Sequence, residues 1–183
     1  MSSNSKISTK AVIPCRLSYA NVWEPQSING SEPKYSVCAI IPKSDKASIS
    51  KINAAIMQAQ KNAVSKWGGK IPEDLVLPLK DGDIERPEDE VYADSWFINA
   101  NSSMAPQIVD KNVQPIANHD EVYSGCYGKI SINFYGYSKD GNKGIGAGLC
   151  NIQKLKDGQA LSSRSTAEED FEAVEETGES FLD

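Results

Sequence analysis

The chain has 183 residues, 39% of them hydrophobic, and a formal charge of −6, which is room for one ordinary domain and a polar tail. No apolar run approaches the roughly 18 residues of a membrane span, and the opening MSSNSKISTK lacks the apolar stretch of a signal peptide, so a cytoplasmic protein is expected. The four cysteines form no CxxC and the single histidine, His119, has no thiol beside it; no metal or cofactor is expected, and the thiols read as small buried hydrophobes of a reduced protein.

Residues 7–23 read as extended structure, with turn signals at NVWEPQ and INGSEP. KYSVCAIIP, 34–42, is a strand: Tyr35, Val37, Ala39 and Ile41 share one face and Ser36, Cys38 and Ile40 the other. Both faces are largely apolar, which predicts burial on both sides. One helix follows, over about 45–67, with Ser44 or Asp45 as N-cap. Ile49, Ile52, Ile56, Ala59 and Ala63 recur at steps of three and four, and Gly68-Gly69 end it. Trp67 reads as a core anchor. Pro72, Pro78, Gly82 and Pro87 mark 70–90 as loop. Strand character returns in VYADSWFINA, 91–100, where either Trp96 or Phe97 must face away from the core. Short extended pieces occupy 102–125. CYGKISINFYGYS, 126–138, is the most regular strand; Asp140-Gly141-Asn142 turn the chain, and KGIGAGLCNIQKL, 143–155, returns as its hairpin partner. Many strands, one helix and no βαβ alternation predict an all-β domain over 6–160, a small barrel or curled sheet with the helix at one end. Residues 161–183 read as a flexible linker and acidic tail.

Charge is unevenly spread. Residues 167–183 hold eight acids and no base. The other 166 residues carry 19 bases and 17 acids, a net of +2. A second acidic block, 73–94, has nine acids and two bases; setting it aside as well leaves 17 bases and eight acids. A basic body with an acidic loop and an acidic tail is a distribution suited to a polyanion.

In the 126–138 strand, Ile130, Ile132 and Phe134 fall on one face, and Tyr127, Lys129, Ser131, Asn133, Tyr135 and Tyr137 on the other. Rings, a cation and hydrogen-bonding groups on a wet face suit single-stranded nucleic acid, whose unstacked bases need π surfaces and whose backbone needs positive charge. Tyrosine also favours strands and packs under loops, so this strand alone leaves both readings open. Gly144, Gly146 and Gly148 follow a turn into a strand rather than opening a helix, so they are no dinucleotide fingerprint. They mark bare backbone, for curvature or for close approach of a neighbour. Arg16, Tyr19 and Trp23 form a second aromatic and basic stretch, and Lys34 and Tyr35 a third. In the tail, Phe171, Phe181 and Leu182 stand among acids; the tail reads either as a solubilising end or as a hook for a partner protein. Glu88-Asp89-Glu90 sit in a proline-rich loop with no companion carboxylates at fixed spacing, and no enzyme is expected.

Five blocks, CRLSYANVWEP, EPKYSVCAIIPKSD, PLKDGD, YADSWFINANSS and EVYSGCYGKISINFYGYSKDGNKGIGAGLCNIQKLKDG, resemble a family of bacteriophage and prophage single-stranded-DNA-binding proteins. They run from about residue 10 to 160. The resemblance implies an OB-like β-barrel, a flexible acidic C-terminus, single-stranded DNA as partner, no catalysis and no metal. On that basis a sequence-nonspecific binder is expected, acting in phage DNA replication or recombination. Tyr135, Tyr137, Tyr127, Trp23, Tyr19 and Phe97 would stack on bases; Lys129, Arg16, Lys34, Lys139 and Lys143 would meet phosphates. Phe171, Phe181 and Leu182 would contact replication or recombination proteins. The alternative is an adaptor whose aromatic face binds another protein; monomer and dimer both stay open. Two features depart from the pattern. The helix follows two clear strands where a plain OB-fold puts it after the third, so either 7–23 bends into two strands or the barrel is elaborated. The tail ends Phe181-Leu182-Asp183 rather than on the aromatic itself.

Overall fold

A computed structural model describes residues 8–27, 30–161 and 171–174. Phe181 and Leu182 lie outside the described residues. The first strand, β1 (Lys10–Gln26), is one continuous element that serves two neighbours. Its first half pairs antiparallel with β6 (Tyr127–Lys139), from Lys10 opposite Asn133 to Arg16 opposite Tyr127. Its second half pairs with β2 (Lys34–Pro42), from Arg16 opposite Ile40 to Gln26 opposite Lys34. Next to β2 runs β4 (Ser95–Ser102), and next to β6 runs β7 (Asn142–Lys156). A parallel contact between Asn101 and Gly148 joins β4 to β7. The circuit β1-β2-β4-β7-β6 is therefore closed, a five-stranded barrel of the expected OB-like kind. Short β3 (Leu79–Asp81) extends the sheet beside β4, and β5 (Gln107–Val109) beside β7.

Alternation places the core. Ile13, Leu17, Val37, Ala39, Ile41, Ile98, Ile130, Ile132, Phe134 and Ile152 point inward and are almost fully buried. Closure also removes the unpaired edges that an open sheet would expose. The β6–β7 connection is the two-residue loop Asp140-Gly141, with φ of 52° and 81°. Both residues are left-handed, as the tight hairpin turn of matching twist requires, and Asp-Gly is a pair that adopts it. Of the four free thiols, Cys15, Cys38 and Cys126 are buried and Cys150 is half-exposed.

Helix α1 (Lys46–Ala63) runs on through a 3-10 turn to Trp67, matching the expected 45–67. Asp45 is the N-cap: its carboxylate accepts from the Ser48 amide at 3.2 Å and the Ser48 hydroxyl at 2.6 Å. Ile52, Ala55, Ile56, Ala59 and Ala63 are buried, and Ile49 is half-buried. Burying each isoleucine contributes about 1.5–3 kcal/mol. At the far end Trp67 donates its indole N–H to the Tyr137 carbonyl at 2.9 Å, and Lys66 reaches the Gly136 carbonyl at 3.0 Å. The helix is thereby fixed across the hairpin end of the barrel. In chain order it follows the second barrel strand, β2, and precedes the third, β4; β1 does not divide, and the barrel is elaborated.

The segment expected as loop over 70–90 is more ordered than its prolines suggest. After β3 come a short helix, α2 (Gly82–Glu85), and a 3-10 turn at Glu90–Tyr92. As a result the expected strand over 91–100 begins only at Ser95. Tyr92 is buried with Phe97, Cys38 and Ile40 in a second apolar cluster, outside the barrel interior. The segment thus covers the outward face of β2 and β4, and accounts for the apolar character of β2 on both sides.

Candidate nucleic-acid interface

Strand β6 supplies the outward face that the barrel leaves open. Ile130, Ile132 and Phe134 are buried, while Lys129, Asn133 and Tyr135 are exposed and Tyr127, Ser131 and Tyr137 half-buried. Beside them on β1 stand Pro14 opposite Lys129, Val12 opposite Ser131 and Lys10 opposite Asn133. The Thr9 hydroxyl donates to the Asn133 side chain at 2.8 Å, and the Asn151 amide to the Ser131 hydroxyl at 2.9 Å. The five barrel strands together hold eight lysines and arginines and one acid, Glu24. The acidic groups of the described body are concentrated elsewhere, above all in residues 73–94.

The glycines of β7 explain how the tyrosines of β6 are held. Tyr135 is opposite Gly146 and Tyr137 opposite Gly144. A methyl group on Gly146 would sit 2.6 Å from the Tyr135 ring, and one on Gly144 2.5 Å from the Tyr137 hydroxyl. The rings therefore lie across the neighbouring strand on bare backbone, filling the space that side chains would otherwise take. Tyr135 remains 44% exposed, which leaves a flat ring surface open to a ligand. Tyr137 is deeper; the Val76 carbonyl also approaches Gly144, and Val76 is hydrogen-bonded to both Lys143 and Ile145 there. Lys139 and Lys143 flank the hairpin turn next to these rings.

At the other end of β6, two cations approach Tyr127. The Arg16 guanidinium is 5.4 Å from its ring centroid and the Lys156 ammonium 4.8 Å. Arg16 is fixed by two carbonyls: Nε donates to Gly125 at 3.1 Å and Nη2 to Gln159 at 2.7 Å. Both acceptors are neutral, so the charge is positioned without being cancelled. Gln159 belongs to a strap, residues 157–161, that follows β7. Tyr123 donates its hydroxyl to the Gly158 carbonyl at 2.9 Å, Leu161 donates its amide to the Ser124 carbonyl at 2.8 Å, and Lys154 pairs with Asp157 at 2.6 Å. The hydrogen bond from Lys154, aided by one from Tyr123, holds the Asp157 carboxyl below the usual carboxylate range. The strap brings the root of the acidic tail beside Ser124 and Tyr19.

The remaining expected residues are scattered. A register shift in β1 gives Tyr19 a φ of 45° and turns it outward, 61% exposed, with the Arg86 guanidinium 5.3 Å from its ring. Trp23 already stacks on His119, centroids 4.2 Å apart, and donates its N–H to the Val122 carbonyl. One of its faces is occupied. Lys34 stands at the start of β2, opposite Gln26 and away from β6. Phe97 needs correction as a base platform. It does face away from the main core, but it is 2% exposed, edge-on to Tyr92 and covered by Arg86 at 4.8 Å. Phe171 is exposed within the short described piece of the tail.

Sequence reasoning missed Arg86 and Tyr92. Arg86 also lies 4.5 Å over the Tyr92 ring, and the Tyr92 hydroxyl meets Ser18 at 3.0 Å and Cys38 at 3.7 Å. Burial pushes the Tyr92 phenol up from its ordinary value. A signal for this cap existed in the apolar second face of β2, which required a cover, and in the one arginine within IERPEDEVYAD.

Residues 5–182 match the family model described as the ssDNA-binding protein of Enterobacter phage Enc34. A phage relative, putative protein p50 of Acyrthosiphon pisum secondary endosymbiont phage 1, is 32% identical over 164 residues, covering 83% of this chain and 85% of that one. The single-stranded DNA-binding protein from bacteriophage Enc34, solved in complex with ssDNA, superposes with a TM-score of 0.73 at 28% identity, over 84% of this chain and 88% of that one. Gp2.5, a single-stranded DNA binding protein encoded by bacteriophage T7, shares the fold at a TM-score of 0.61 and 11% identity, over 86% of this chain and 97% of that one. With nearly its whole length matched, the chain belongs to the family of phage single-stranded-DNA-binding proteins represented by that of Enc34.

Proposed function

We propose that this protein is a non-catalytic binder of single-stranded DNA with weak preference for base sequence, serving phage DNA replication or recombination in the cytoplasm of a bacterial host. The observation that carries the reading is the outward face of β6: rings and cations, free of acids, on a barrel similar to one solved with ssDNA bound. OB barrels commonly bind along the outer face of their second and third strands. Here the acidic 82–93 segment covers that region, on β2 and β4. The DNA path is therefore assigned to β6 and its flanks on β1 and β7. Tyr135 is the principal stacking ring, with Tyr137 and Tyr127 on either side. Lys129, Lys139 and Lys143 meet phosphates, and Arg16 lends a fixed charge. Trp23 and Tyr19 extend the path only if it continues along β1. The domain is assigned to 6–160, and the tail to contacts with other replication or recombination proteins.

Adding oligo-dT to the full chain at low salt tests the reading. Rings that stack on bases quench intrinsic fluorescence, and a gel shift accompanies the quench. Duplex DNA is run beside it, because a basic body alone binds both. Absence of both quench and shift with oligo-dT rejects the reading in favour of an adaptor.

A further inference from the structure

A cleft of about 420 Å³ opens on the outer face of the barrel, where β1, β2 and β6 meet the end of β7 and the acidic segment. Pro14, Ile40, Val91 and Leu155 line it with apolar surface, and Tyr127 adds a ring. Tyr127, Arg16 and Ile40 are successive partners in strand register, so they form one row across the sheet. Leu155 is 39% exposed, an uncovered apolar side chain at the rim. Arg16 and Lys156 line the same cleft, both close to the Tyr127 ring. The volume lies within the roughly 300–1,000 Å³ of small-ligand sites.

We infer that this cleft holds one unstacked nucleotide of the bound strand, its base between Tyr127 and the apolar side chains and its phosphates on Arg16 and Lys156. The inference rests on the single-stranded-DNA reading and adds a discrete pocket to an otherwise open path. A base taken out of the stack needs a π face and dry edges, and its flanking phosphates need cations within reach. The cleft offers all three, and the two carbonyl bonds of Arg16 fix one cation in place before DNA arrives. One carboxylate, Asp45, lies on the lining, and both of its oxygens are engaged in capping α1. A pocket for one base also sets register along the strand, which an open row of rings does not.

The test uses the full chain and short dT oligonucleotides carrying a single 5-iodouracil. Irradiation and peptide mapping should place a crosslink on the peptide containing Tyr127. Leu155→Trp fills the cleft without changing charge. It should remove that crosslink and weaken oligo-dT binding about tenfold, the worth of one stacked base, with an unchanged melting temperature. Lys156→Ala is a second variant that leaves the barrel interior untouched; it should lower the salt slope of log K by about 0.7, one phosphate. The inference is overturned if oligo-dT binds the native chain but Tyr127 is never crosslinked. It is equally overturned if Leu155→Trp and Lys156→Ala bind as the native chain does, with the same salt slope. A native chain that binds no oligo-dT overturns the functional reading as well, and so separates the two failures.

Discussion

Gly136 on β6 and Gly146 on β7 both lack a side chain for reasons of space, but a methyl group at each meets different neighbours. At Gly136 it would sit 2.1 Å from the Ala63 Cβ and 3.1 Å from the Trp67 ring. Both belong to the helix and its terminal turn, which are anchored to the same strand by two hydrogen bonds. Gly136→Ala must move the helix off the barrel and should cost about 1–3 kcal/mol, as overpacking does, read by denaturant or thermal melting. At Gly146 the methyl meets the Tyr135 ring, the far end of a partly exposed side chain that can swing away. Gly146→Ala should therefore melt near the native temperature and lose oligo-dT affinity, because its platform is displaced. Equal stability loss in the two variants would contradict this assignment of roles. The G-x-G-x-G spacing was legible as bare backbone; that tyrosine rings occupy the space depends on cross-strand register, which no local pattern carries.

At the level of elements, legibility depended on whether the signal lies within the segment itself. Alternation defines β2 and the outward face of β6, three-four spacing defines α1, and Asp-Gly defines the hairpin. Each of these signals lies within its own segment, even where the partner is distant, as α1 is from Gly136 and Tyr137 of β6. The 82–93 cap was not legible, because its prolines and acids look like loop until Phe97, Cys38 and Ile40 are brought beneath it from distant strands. This also removed Phe97 from the set of open rings. The strap at 157–161 is likewise held by distant groups, Tyr123 and Arg16. Its ion pair gives it a pH dependence. Asp157 titrates below its unfolded value of about 3.9, so its contribution is present above that pH and is lost as pH falls through the folded value. Amide exchange at Gly158 and Leu161 should accelerate as pH drops below about 4, after correction for intrinsic rates. In Asp157→Asn that step should vanish. A strap whose protection is the same on both sides of pH 4 would contradict the pairing.

For the molecule as a whole, charge is partitioned by structure as well as by sequence. The barrel strands carry eight cations and one acid, while the 73–94 segment and the tail carry 17 of the 25 acids. The strap passes Arg16 and Tyr127, at one end of the proposed DNA path, and leaves the tail root beside Ser124 and Tyr19. Deleting 167–183 removes eight negative charges and should tighten oligo-dT binding at low salt, with a difference that shrinks as salt rises. Unchanged affinity at low salt would show that the tail does not compete for the path. The central claim is that DNA binds along the outward face of β6, and it is tested most directly at Tyr135. Affinity of the native chain and of Tyr135→Ala for oligo-dT should be measured by fluorescence quenching across a salt series. The account predicts a loss of about 1–3 kcal/mol in binding, an unchanged melting temperature and an unchanged salt slope, since a ring and no charge is removed. Native affinity in Tyr135→Ala would contradict it and place the DNA elsewhere on the barrel.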